Sequence, residues 1–432
     1  MSKLAINGGP PVRTKLFPAY NTIGLQEKEA VMRVLDTGIL SQFLGACHKD
    51  FYGGPSVQAF EKQWAQTFGA QYAISVNSNT SGLIAACGAC GLQPGDEVIV
   101  SPYTMSASAL APVFYGAVPV FADVSLNDFC LDPKSIEANI TPRTKAIIVV
   151  HLFGQPAQMD AIMQLAASYN LYVIEDCAQA PLAKYKNNYV GTIGHIGVFS
   201  LNYHKHIHTG EGGVIVTNDT QLAEKLYLIR NHGENVVEAK GITDITNTYG
   251  FNFRMTEIEA AIGIEQLKKL PHLIQQRQDN VNYLNNHLAK IPYLQLPVLH
   301  QQNSPVYYVQ ALKYLPLGKP IHRNTYVNAL RAELPSALMR EDTPLLAYGY
   351  VKPLYLQPFY LQRGHSCSFN CGKYHGHATY HKGLCPNAEQ LHYSDLFTHE
   401  FIRPGMTHAD LDDVAEAFFK VYENLDELML PA

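Results

Sequence analysis

Lys205 stands between His204 and His206, just ahead of the turn Gly210-Glu-Gly-Gly213, and is the only lysine between Lys186 and Lys225. A lysine kept from water, or crowded by other cations, loses its proton and becomes a nucleophilic amine able to form a Schiff base. Taken alone, it reads as a solvated loop lysine. Asp176 ends the run Val173-Ile-Glu-Asp, at the C-terminal end of a buried strand, where open α/β sheets bind ligands. A carboxylate in such a cleft takes up a proton unless a cation faces it, and a protonated pyridine nitrogen would serve. Gln179, three residues on, could face the same ring, whereas a helix cap is the plain reading of Asp176. The third segment, Asn77-Ser-Asn-Thr-Ser-Gly82, follows an apolar run and opens a helix. Backbone N–H groups and hydroxyls there make an anion site or an ordinary cap. It is neither a Walker motif nor a dinucleotide fingerprint. In chain order the three segments are the parts that hold pyridoxal phosphate: a phosphate cradle, a partner for the pyridinium, and an amine for the aldehyde.

These residues need a rigid frame. Seven short runs rich in β-branched or aromatic residues read as strands: Tyr72–Val76, Glu97–Ser101, Pro119–Asp123, Lys145–Val150, Leu171–Glu175, Gly197–Ser200 and Gly213–Thr217. Helix-length segments such as Ser81–Cys90 and Ala157–Tyr169 separate several of them. That alternation predicts an α/β fold with a mostly parallel seven-stranded sheet sandwiched by helices. Thr256 and Glu259 form a capping box for a helix that Pro271 is expected to end, or to follow with a new one. A strand and a helix are expected within 305–335, and an amphipathic helix within Thr407–Leu428. The expected division is a large domain at 1–270, with an N-terminal arm, and a smaller α+β domain at 271–432.

Composition narrows the function. The chain has 432 residues, 47% hydrophobic and 16% charged, with a formal charge of −5. That suits a large buried core and provides no basic field for nucleic acid or an anionic membrane. No run of some 18 apolar residues predicts a membrane span, and the opening MSKLAINGGPPVRTKLF does not read as a signal peptide. Eight cysteines are too sparse for a disulfide scaffold, so a reduced, cytoplasmic setting is expected.

The chain resembles the DegT/DnrJ/EryC1/StrS sugar aminotransferases, pyridoxal phosphate enzymes of fold type I. The likeness lies in Pro94-Gly-Asp-Glu-Val-Ile-Val100, Gly116-Ala-Val-Pro-Val-Phe121, His151-Leu-Phe-Gly-Gln155, Glu175-Asp-Cys-Ala-Gln-Ala180, Val190-Gly-Thr-Ile-Gly194, Thr209-Gly-Glu-Gly-Gly213 and Gly250-Phe-Asn-Phe-Arg-Met255. It runs from about residue 5 to 270 and resumes near 385–425. The resemblance implies that Lys205 carries the internal aldimine and shuttles the proton. It implies that Asp176 pairs with the pyridine nitrogen, that Gln179 lies by the ring hydroxyl, and that Asn79, Thr80 and Ser200 bind the phosphate. Asn252 would reach the phosphate of a neighbouring subunit, implying a homodimer with shared sites. Arg254 would take the amino donor's carboxylate, since its fork matches one. The implied reaction moves an amino group from glutamate, or glutamine, to a keto-sugar, a nucleotide-linked keto-deoxysugar in the first instance. A keto-cyclitol is an alternative acceptor. A keto-deoxysugar dehydratase is another alternative, but such relatives carry His where Lys205 stands.

The chain departs from the family pattern in three places. Met105 holds the position that usually supplies a ring stacked on the cofactor, although Met also packs on rings. Asn79 replaces a glycine of the phosphate turn. The stretch 364–384 is longer than expected and, with Cys385, holds His365, Cys367, Cys371, His375, His377, His381 and Cys385. Their spacing matches no closed zinc site, so no metal is assigned. A loop touching substrate or the partner subunit is expected there.

Overall fold

The computed structural model describes residues 3–299, 302–336, 344–362 and 374–429. All seven expected strands form, their ends shifted by at most two residues: β1 Tyr72–Val76, β2 Glu97–Val100, β3 Val118–Phe121, β4 Thr144–Val150, β5 Tyr172–Asp176, β8 Ile196–Ser200 and β9 Gly213–Thr217. A small hairpin, β6 Lys184–Tyr185 and β7 Asn188–Tyr189, lies between β5 and β8. The seven strands make one sheet in the order β1-β9-β8-β5-β4-β2-β3. Only β9 runs antiparallel to its neighbours. Strands covered on both faces need apolar side chains on both. Ile147, Ile148, Val173, Ile174 and Val198 are accordingly fully buried.

Helix α1 (Leu25–Thr37) and helix α2 (Pro55–Phe68) precede the sheet. Helix α3 (Asn79–Ala89) follows β1 and is buried along nearly its whole length. It lies so close to the sheet that a Cβ on Gly82 would come within 2.5 Å of Val198 Cγ1, so only glycine fits. Short helices α4 (Ala107–Leu110) and α5 (Pro133–Ala138), then α6 (Met159–Tyr169) and α7 (Thr220–Arg230), complete the layers.

Helix α8 differs from expectation. It runs unbroken from Glu257 to Leu288, with the Thr256–Glu259 capping box at its start and Pro271 inside it. Proline removes one helix hydrogen bond, at a cost of about 3 kcal/mol. Burial of Leu267, Leu270, Ile274, Val281, Leu284 and Leu288 outweighs this at roughly 1.5–3 kcal/mol each. The boundary expected at 270/271 therefore falls inside one helix.

Beyond α8, strands β10 (Leu294–Gln295), β11 (Gln310–Tyr314), β12 (Leu346–Tyr348) and β13 (Leu396–His399) form an antiparallel sheet in the order β10-β11-β13-β12. Helix α9 (Arg323–Glu333) and the C-terminal helix His408–Glu423 pack with it. The N-terminal segment joins this second core, with Leu4 and Phe17 buried in it and the Ala5 N–H bonded to Glu333 at 2.8 Å. No described helix is long and apolar enough to cross a membrane.

Candidate active site

The parallel strands end on one side of the sheet, and the sequence-predicted residues gather there. Ser200, at the end of β8, pairs with Gly213 on β9. A Cβ on Gly213 would come within 2.7 Å of the Ser78 carbonyl carbon and 2.8 Å of Asn79 N. This glycine therefore seats the first turn of α3 beside Ser200. Ser78 caps α3, its Oγ accepting from Ser81 N–H at 3.0 Å, and Ser81 Oγ donates to Asn77 Oδ1 at 2.6 Å. Asn79 and Thr80 occupy the first two helical positions, where backbone N–H groups have no intrahelical acceptor and attract an anion.

The Asn79 side chain points elsewhere: its Nδ2 donates to Asp176 Oδ1 at 3.3 Å. Its Oδ1 is buried with no protein partner. Asp176 is 4% exposed. Its Oδ1 also accepts from Ala178 N–H at 3.2 Å, and its Oδ2 accepts from Ser108 Oγ at 2.7 Å. Three donors on a buried carboxylate fix its orientation.

Gln179 is fixed at both ends of its amide. Its Oε1 accepts from Phe153 N–H at 2.7 Å, and its Nε2 donates to Tyr350 Oη at 2.8 Å. Behind Asp176, Glu175 is fully buried and accepts from Gly191, Ile193 and Gly194 N–H at 2.8, 2.8 and 2.5 Å. His151 Nδ1 accepts from Ala157 N–H at 3.1 Å, which leaves Nε2 to donate to Glu175 Oε2 at 2.9 Å. With Cys177 these two form the only His/Cys/Asp/Glu group of metal-like spacing among the described residues. The ring nitrogens of His151 and the carboxylate oxygens of Glu175 are already spent on one another and on backbone.

Lys205 sits in a turn, its N–H bonded to Asn202 O at 2.9 Å. Burial pulls its amine down from 10.5 to about 8, against the opposing pull of Asp176. His204 is lowered to about 4 by burial, then by Lys205 and Arg403. The histidine-flanked lysine is thus a readily deprotonated amine close enough to Asp176 to feel its charge.

Other expected residues lie at the rim. Met105 is 62% exposed. Asn252 is exposed, and its carbonyl accepts from Asn77 Nδ2 at 3.4 Å. Arg254 Nε donates to Asn252 Oδ1 at 2.8 Å and its Nη1 to Asn231 Oδ1 at 3.2 Å, which ties this Arg to two asparagines.

The described part of the His/Cys-rich stretch lies elsewhere. Tyr374 Oη bonds Glu97 Oε1 at 2.8 Å and Tyr380 Oη bonds Pro119 O at 2.7 Å. These contacts are near the starts of β2 and β3, at the opposite end of the strands from Asp176. Cys385 is buried and donates its N–H to Tyr355 Oη at 3.2 Å. His365, Cys367 and Cys371 lie outside the described residues.

Sequence reasoning missed Ser108, Tyr308 and Tyr350. Ser108 carried no motif, Tyr350 belongs to a stretch without periodicity, Tyr308 opens a strand-like run that marks no site, and both tyrosines lie more than 100 residues beyond the residues they meet.

A family model for the DegT/DnrJ/EryC1/StrS aminotransferases matches residues 45–419, including the stretch 271–384, where the likeness was not legible. The L-glutamine:2-deoxy-scyllo-inosose aminotransferase of Streptoalloteichus tenebrarius is 32% identical over 441 residues, covering 98% of this chain and 99% of that protein. The GDP-perosamine synthase of Caulobacter vibrioides is 40% identical over 265 residues, 61% of this chain and 68% of that protein. The X-ray structure of an aminotransferase from Psychrobacter cryohalolentis has the same fold, with a TM-score of 0.80 at 31% identity, covering 95% of this chain and 100% of the other. Fold, ordered motifs and near-complete coverage agree: this chain belongs to the DegT/DnrJ/EryC1/StrS aminotransferase family.

Proposed function

We propose that this chain binds pyridoxal phosphate on Lys205 and transfers an amino group from glutamate or glutamine to the keto carbon of a nucleotide-linked keto-deoxysugar. The observation that carries the reading is the convergence of a depressed lysine amine, a buried three-donor carboxylate and an open helix N-terminus.

The residues fit the cofactor. The Asp176 carboxylate suits a pyridinium N–H, and the orphaned Asn79 Oδ1 beside it offers a further acceptor. The first-turn amides of Asn79 and Thr80, with the Ser200 hydroxyl, would hold the phosphate. Gln179 would lie along the ring and Met105 over one face. When bound, the cofactor supplies an electron sink for the carbon that loses its proton. Asp176 holds the proton on the pyridine nitrogen and so keeps the sink effective. Ser108 and Asn79 orient that carboxylate. Lys205 Nζ, once its place is taken by a substrate amine, removes the proton from one carbon and returns it to another. Arg254 keeps further N–H groups on its fork for a donor carboxylate. The exposed Asn252 would complete the phosphate site of a second copy, making the enzyme a homodimer with shared sites.

GDP-perosamine synthase supports a nucleotide-linked acceptor. A keto-cyclitol is the second reading, favoured by the cyclitol aminotransferase that matches 98% of the chain. The test is incubation with glutamate or glutamine and a panel of nucleotide 4-keto-6-deoxysugars and keto-cyclitols. The expected result is an amino product in one-to-one yield with the keto acid of the donor. A deoxygenated sugar without an amine would instead point to a dehydratase.

A further inference from the structure

The side chain that meets the Lys205 amine comes from a distant part of the chain. The ring centroid of Tyr308 lies 4.5 Å from Lys205 Nζ, a distance at which an aromatic face attracts a cation. That ring is rigidly mounted. The Tyr308 N–H bonds Phe153 O at 2.9 Å and Val306 N–H bonds Gly154 O at 3.0 Å, while Arg277 Nη1 donates to Tyr308 O at 3.2 Å. Gly154 permits the seam: its φ is +84°, and a Cβ there would stand 2.8 Å from Tyr307 N and 3.1 Å from Tyr308 N. The imidazoles of His204 and His206 flank the ring, each with its centroid 6.2 Å away.

We propose that Tyr308 is a positioning residue whose ring face holds the Lys205 amine at the cleft and stabilises its protonated form. The inference rests on the reading of Lys205 as the reactive amine. Two influences favour the ammonium, the Asp176 charge and this ring face, and burial opposes both. Burial, against the Asp176 charge, brings the amine down to about 8, a range where it can both take and give a proton, and the ring face adds a further pull toward the ammonium. The other groups facing this corner are silent in that range. His204 is lowered to about 4, and His206 is held well below its ordinary value by burial, then by Arg277 and Lys205. Burial raises the phenols of Tyr308 and Tyr350. Arg403 is ion-paired with Glu400, and Arg277 Nη1 is bonded to the Tyr307 and Tyr308 carbonyls.

The test is competitive acetylation of the full-length chain without cofactor, using trace acetic anhydride across pH 6–11 and peptide mass spectrometry on Lys205. The wild-type midpoint is expected near 8. Tyr308→Phe keeps the face and should leave the midpoint in place. Tyr308→Leu should lower it by about half to one and a half units. Should the leucine variant misfold by circular dichroism, Tyr308→Met serves in its place, with the same expectation. An unmoved midpoint in the aliphatic variant overturns the proposal. So does a Phe variant shifted as far as Leu, which would assign the effect to the hydroxyl. This titration needs no cofactor, so its outcome is independent of whether pyridoxal phosphate binds Lys205.

Discussion

At the scale of single residues, Asp176 draws its effect from three donors: Asn79, Ala178 and Ser108. Asp176→Asn keeps the shape and removes the charge. It should leave cofactor bound while slowing the proton shift roughly 100-fold or more, read by stopped-flow absorbance with glutamate; near-wild-type rates would remove the electron-sink argument. Ser108→Ala removes one charge-assisted hydrogen bond and should slow the same step by about tenfold. Asp176, Gln179 and Lys205 were legible because each stands in a short local pattern, a strand end or a glycine-rich turn. Ser108 and Tyr350 were not, because one hydroxyl reaching one carboxylate, or one phenol reaching one amide, leaves no periodic trace. The Asn79 side chain faces Asp176, and only its backbone faces the anion cradle. An asparagine in a Ser/Thr-rich turn does not announce that division of labour.

At the scale of elements, the strands were readable almost to the residue, since a strand buried on both faces is a continuous apolar run bounded by breakers. The ends of such strands must still be held in place, and the His151–Glu175 pair does this for β5. Both side chains are fully buried, and Glu175 also accepts three backbone N–H groups. Glu175→Ala should lower stability by about 3–5 kcal/mol in urea titration. Asp160→Ala breaks the solvent-exposed pair with Lys186 and should leave the midpoint unchanged. An equal loss in both variants would contradict this assignment of stability. Pro271 misled the reading of α8. A local rule about proline cannot register burial on the far side of the helix, where Leu267, Leu270 and Ile274 settle the outcome.

At the scale of the whole molecule, the cleft draws on segments from both halves of the chain. Tyr308 and Tyr350 meet Lys205 and Gln179 across more than 100 residues. Those long-range contacts, and the packing of Leu4 and Phe17 into the second core, were beyond reach of a linear reading. If sites are shared between two copies, a mixed dimer of Lys205→Ala and Asn252→Ala chains should recover activity that neither parent shows, with one intact site per dimer. No recovery in verified hybrids would place Asn252 outside the catalytic site. The most direct measurement is borohydride reduction of the protein loaded with pyridoxal phosphate, followed by peptide mapping. The account predicts one pyridoxyl group per chain, on Lys205 and absent from Lys205→Ala. A pyridoxyl group on another lysine, or none, would contradict it.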